Sequence, residues 1–189
     1  MLAIILAAMM YSALFTALEH QEKTALEIET PPGGSFASMV GTVLATLVEV
    51  LIVVCIIGTV NGLLWHINLP TISTLPLVLL AVLLLAIIFS LLGYGFGNRA
   101  KDVRLVIGPT MITVLVLWLL SGGVSPIETM AGTEFLSMLP TTATLRILAK
   151  EMVGPETIST GTNLLILGIW TIAAVLVAFI LKRGIKKKS

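Results

Sequence analysis

Glu19–Pro32 reads EHQEKTALEIETPP and decides how the chain is divided. It is the first break in a strongly apolar sequence, and it holds four of the ten acidic residues: Glu19, Glu22, Glu27 and Glu29. The run before it, Leu2 to Leu18, is just long enough to span a bilayer. A longer apolar run follows it. Glu19 and Lys23 stand four residues apart, a spacing that supports a helix carried past the lipid boundary. Pro31 and Pro32 cannot continue a helix, and Thr30 before them is pushed toward extended geometry. Gly33 and Gly34 then let the chain turn back. The stretch therefore reads as a membrane helix that leaves the lipid, continues briefly as an amphipathic helix, stops and re-enters. Its simplest role is a solvated loop; the more specific role is a docking element for a cytoplasmic partner.

The 189 residues are 57% hydrophobic and 11% charged, with a mean hydropathy of +1.09. A soluble domain carries about 25% charged residues, so the chain reads as a single all-α polytopic membrane domain. The net charge of +1 says little about partners. Cys55 is the single cysteine, so no intrachain disulfide forms. Its apolar surroundings in sequence predict a small buried residue.

Five apolar segments predict transmembrane helices over about 2–18, 36–64, 77–96, 103–120 and 164–181. The second is longer than the hydrocarbon needs and should tilt or project. Gly108–Pro109 predicts a kink in the fourth. With Glu19–Pro32 inside and the sides alternating, Lys23, Arg99, Lys101, Arg104, Lys182, Arg183, Lys186, Lys187 and Lys188 are cytoplasmic. Only Arg146 and Lys150 are outside, so nine of eleven basic residues lie inside. The positive-inside rule selects an outer N-terminus and a cytoplasmic C-terminus. A secretory signal peptide at the N-terminus is a weaker reading. It lacks a basic leading region, and it would reverse every later loop.

Ser125-Pro126-Ile127-Glu128 carries a capping serine, a proline at the first helical position and a glutamate at the third. It predicts a short helix ending before Pro140. A second is expected with Leu145, Leu148 and Met152 on one face and Arg146 and Lys150 on the other. Neither is long enough to cross, so the pair over about 125–153 reads as outer interfacial or re-entrant helices.

Catalytic and nucleotide-binding signatures are missing. There is no phosphate loop, no nucleophile elbow, no HExxH and no His/Cys cluster for a metal. No nucleic-acid partner, cofactor-binding site or catalytic residue is expected on the chain. Gly93-Tyr94-Gly95-Phe96-Gly97 resembles a potassium filter, but it closes a full span, and we read it as a helix end built for close packing. Glu49 lies near the middle of the second span, where an ionisable residue faces a cavity or a partner. It reads either as a residue on a transport path or as a protonated carboxyl bonded to a neighbouring helix.

The order of these parts resembles the membrane subunit of a type-2 ABC exporter. Three stretches carry the resemblance. ALEHQEKTALEIETPPGGSF is similar to the family's acidic segment, through Glu22, Lys23, Thr24, Glu27, Thr30 and Pro31. LLSGGVSPIETM is similar to its span end, through Ser121, Gly122, Gly123 and Pro126. MLPTTATLRILAKEMVG is similar to its outer pair of helices, through Leu139, Pro140 and Arg146.

The resemblance implies a permease subunit in a prokaryotic plasma membrane. It would pair with a second permease copy or a homologous permease and with ABC ATP-binding subunits. ATP and Mg belong to those subunits. Glu19, Glu22, Lys23, Thr24, Leu26 and Glu27 would form the element seated on the ATPase, and the outer helices would shape the exit. The first and fourth spans would line the path, offering Tyr11, Ser12, Thr16, Thr110 and Thr113. The family's usual subunit has one more span before the acidic segment. A five-span variant, a span on another chain or upstream sequence would each account for the difference. The alternative function is a small membrane protein not driven by ATP, such as a channel or an assembly subunit of a larger complex.

Overall fold

A computed structural model of the protein describes residues 1–22, 24, 34–65, 73–100, 102–121, 133–153 and 159–183. These residues are helical throughout, without strands. Five helices are long and apolar enough to cross a membrane: α1 (Leu2–Gln21), α2 (Gly34–Trp65), α3 (Leu75–Ala100), α4 (Val103–Leu120) and α7 (Thr160–Arg183). Between the last two lie α5 (Thr133–Ser137) and α6 (Pro140–Val153), both too short to cross. The chain is an all-α polytopic membrane protein.

The helix ends run beyond the apolar segments at several places. In lipid every backbone group must be satisfied within the helix, and nothing forces the helix to stop where the side chains turn polar. Thus α3 continues to Ala100, and α1 continues to Gln21 with Glu22 as its C-cap. At the start of α7, Ser159 caps the helix by accepting from the Thr162 backbone N–H at 3.3 Å. A hydropathy reading that starts at Leu164 misses this polar first turn. Asp102 caps α4 in the same manner, accepting from Arg104 N at 2.9 Å. Pro109 lies inside α4, which continues through it to Leu120.

α3 is the most buried span and α1 the next, while α2, α4 and α7 keep most of their side chains on the outside. Two cores flank α3. On one side Val82, Leu85 and Phe89 pack with Ile5 and Met9 of α1, Val50 of α2 and Val114 of α4. On the other, Ile88, Leu91 and Tyr94 pack with Ile147 of α6 and Leu167 and Ala174 of α7. The outward faces carry Leu44, Val48 and Ile52 on α2, Leu105 and Ile112 on α4, and Leu165 and Ile172 on α7. Such faces match lipid chains without any polar group to desolvate.

α2 has 32 residues and is about 48 Å long at 1.5 Å per residue, against a hydrocarbon core of about 30 Å. No residue from Leu51 to Leu64 is buried, so the far half of this helix is covered only in part by the other spans. Cys55 lies on that half and is exposed, which corrects the expectation of a buried cysteine. Its sequence neighbours are apolar because they face lipid, not because they face a core.

α6 buries a face of mostly small side chains. Its buried residues are Thr141, Thr142, Ala143, Thr144 and Ile147, whereas Leu145 and Leu148 are only half-buried. Small side chains let α6 approach α3 and α7 closely, and the larger leucines are left to the flank. The expected capping box at Ser125–Glu128 lies outside the described residues. α5 does end before Pro140.

Candidate functional site

The segment singled out by sequence begins on α1, so its mechanical setting depends on what holds α1. The contact with α3 is made backbone to backbone. A Cβ on Gly93 would collide with the carbonyl of Met9. One on Gly97 would lie 2.6 Å from the Ala13 carbonyl oxygen and 2.7 Å from Thr16 Cβ. The two glycines are four residues apart and so share one face of α3. Opposite them stand Ala13 and Ala17, also four apart and both buried. The glycine-rich pentad is a packing surface, and only residues without side chains permit this spacing.

Polar bonds fix the register. Ser12 donates through Oγ to the Ser90 carbonyl at 2.7 Å, and Thr16 donates to the Ser12 carbonyl at 2.8 Å. At the end of the pair, Asn98 donates through Nδ2 to the Tyr94 carbonyl at 2.9 Å. That bond orients the amide, so Oδ1 faces His20 and accepts from Nε2–H at 2.8 Å. The last turn of α1 is thereby latched to the last turn of α3. Neither His20 nor Asn98 was singled out by sequence reasoning, since no local pattern relates residues 78 apart.

Beyond the latch, the Glu22 backbone N–H reaches the Leu18 carbonyl at 2.8 Å, and Glu22 is exposed. Glu19 is half-buried. The Thr24 hydroxyl donates to the Glu19 carbonyl at 3.2 Å, folding the chain back on the helix end. Lys23, Leu26 and Glu27 lie outside the described residues.

The other predicted residues separate into two groups. Ser12, Thr16 and Thr110 are buried in the packing of α1 with α3 and α4. Thr110 is one turn from Val106 and one from Val114, both of which pack against α1. Its hydroxyl has no hydrogen-bond partner. Tyr11 is half-buried and stacks on Phe15 with ring centroids 5.9 Å apart, on a different face of α1 from Ser12. Thr113 is half-buried and donates to the Pro109 carbonyl at 2.8 Å.

Glu49 is half-buried on α2, and its Oε2 is buried without a hydrogen-bond partner. The nearest hydroxyls on its face, Thr46 and Thr42, donate to carbonyls within α2, at Thr42 and Ser38. The expected bond from Glu49 to a neighbouring helix is not formed among the described residues. No group of three or more His, Cys, Asp or Glu side chains that could hold a metal occurs among them either.

No family model, no curated protein and no solved structure matches the chain.

Proposed function

We infer that this chain is the permease subunit of an ATP-driven exporter of the type-2 ABC kind. It works with a separate ATP-binding subunit and a second permease, either a copy of itself or a homologue, and carries no catalytic site of its own. Its setting is a prokaryotic plasma membrane, with the N-terminus outside and the C-terminus in the cytoplasm. The nine-to-two division of basic residues supports that orientation.

One observation carries the reading. Glu19 lies in the last turn of α1, Glu22 caps it, and α1 is locked to α3 by Gly93, Gly97 and the His20–Asn98 bond. A push on the end of α1, at Glu19–Glu22, is delivered to the two most buried spans. A rigid helix with an acidic, partly apolar end is what a subunit needs to receive motion from a soluble ATPase. The apolar residues Ala25, Leu26 and Ile28 supply affinity there. The carboxylates of Glu19, Glu22 and Glu27 set register, because exposed ion pairs alone contribute little.

The test is purification of the tagged chain from its native membrane and identification of what remains bound. An ATP-binding subunit with a phosphate loop is the expected companion. A chain that purifies alone, or within a complex lacking any ATPase, contradicts the reading.

A further inference from the structure

The end of the bundle opposite the His20–Asn98 latch carries a second constellation, which does not depend on the exporter reading. α6 and α7 lie alongside one another and are pinned at two points. Lys150 Nζ donates to Thr160 Oγ1 at 2.7 Å, and Trp170 Nε1 donates to the Met138 carbonyl at 2.7 Å. The pairings run in opposite directions along the two helices, so Arg146 falls level with Asn163 between them. Thr142, Arg146 and Lys150 are spaced by four and share one face of α6. Thr160 and Asn163 are three apart and share one face of α7.

Asn163 is 2% exposed and Thr142 is fully buried, yet the side-chain oxygen of each has no hydrogen-bond partner. Arg146 is half-buried, and its Nη1 is buried with no partner. Leaving a guanidinium nitrogen desolvated and unpaired is costly, and in folded proteins such a group is held by an anion. No acidic side chain meets Arg146 or Lys150 among the described residues. An arginine fork, a lysine ammonium and a buried hydroxyl together suit an anion with several acceptor oxygens spread in three dimensions. A phosphate group has that shape. The site lies beside the start of α7, a helix long and apolar enough to span a membrane, and the ends of such spans are where lipid phosphates are met.

We propose that Arg146, Lys150 and Thr142 form a binding site for a phosphate mono- or diester between α6 and α7. The phosphate belongs either to a lipid headgroup or to a soluble phosphorylated molecule.

The full chain, purified in detergent and stripped of lipid, is titrated with phosphatidylglycerol, dioleoylglycerol and oleate, and bound adducts are read by native mass spectrometry. The phosphate-bearing lipid is expected to bind, and the phosphate-free diglyceride and the carboxylate are expected to bind far more weakly. Arg146→Gln combined with Lys150→Gln should weaken phosphatidylglycerol about tenfold or more, as expected for lost charge-assisted bonds. Arg146→Lys keeps the charge and loses the fork, and should fall between the two. Thr142→Val removes the hydroxyl while keeping the shape, so it should keep helicity and still lower binding. Arg104→Gln, at the opposite end, should bind like the parent. Competition by millimolar inorganic phosphate assigns the site to soluble phosphate; its failure to compete assigns the site to a lipid headgroup. Equal binding of all three amphiphiles overturns the proposal. So does undiminished binding in the Arg146/Lys150 pair, or an equal loss in Arg104→Gln.

Discussion

Gly97 and Gly108 are both glycines inside spanning helices, and the structure separates them. Gly97 touches the backbone of α1, whereas Gly108 faces open space. Gly97→Ala must push α1 away, and overpacking of this kind costs about 1–3 kcal/mol. Gly108→Ala meets nothing and gains up to about 1 kcal/mol of helix propensity. Apparent melting temperatures in detergent should therefore fall for Gly97→Ala and hold or rise for Gly108→Ala. Equal shifts in the two would remove the argument for close α1–α3 packing. Glu49 calls for a different substitution. Glu49→Gln keeps the shape and hydrogen-bonding capacity while removing the charge. It should leave assembly and transport unchanged if the residue is structural, which is the outcome we expect. Normal assembly with lost transport would instead place Glu49 on the path. At this scale the pentad was legible, because glycines four apart in an apolar helix have few other uses. The His20–Asn98 bond was not, because it depends on how two helices 78 residues apart come into register.

α1 works as a lever only if its last turn is firm. Asn98→Ala deletes the bond to His20 and the bond to Tyr94. Removing a part-buried hydrogen-bonding side chain costs about 1–3 kcal/mol. Amide hydrogen exchange at residues 18–22 should accelerate in Asn98→Ala while exchange in the middle of α3 stays slow. Uniform acceleration would mean that the bond supports the whole fold and not the helix end. Among the elements, the five spans could be read from hydropathy and length. The starts and ends could not, since Ser159 and Asp102 extend or sharpen helices through caps that hydropathy ignores. The buried face of α6 was missed for a related reason. The leucines drew attention to one face of an interfacial helix, whereas the residues that α6 buries against α3 and α7 are mainly Thr141, Thr142, Ala143 and Thr144. Cys55 shows the same limit from the other direction, since an apolar sequence context does not distinguish lipid from core.

The described residues form two largely buried spans flanked by three more exposed ones. Its orientation is tested by single cysteines at Thr133 and Ser189 in a Cys55→Ala background. An impermeant reagent added to intact cells should label the first and spare the second, and labelling of both would contradict an outer N-terminus with five crossings. The central claim is that residues 19–29 pass motion between an ATPase and the α1–α3 pair. Leu26→Asp places a charge in the proposed contact, and Glu22→Lys with Glu27→Lys reverses its acidic face. The most direct measurement is ATPase recruitment and transport-stimulated hydrolysis in vesicles reconstituted with each variant. The account predicts that both variants insert normally but lose recruitment or uncouple hydrolysis from transport. Recruitment and transport equal to the parent in both would contradict it and leave the stretch as a loop.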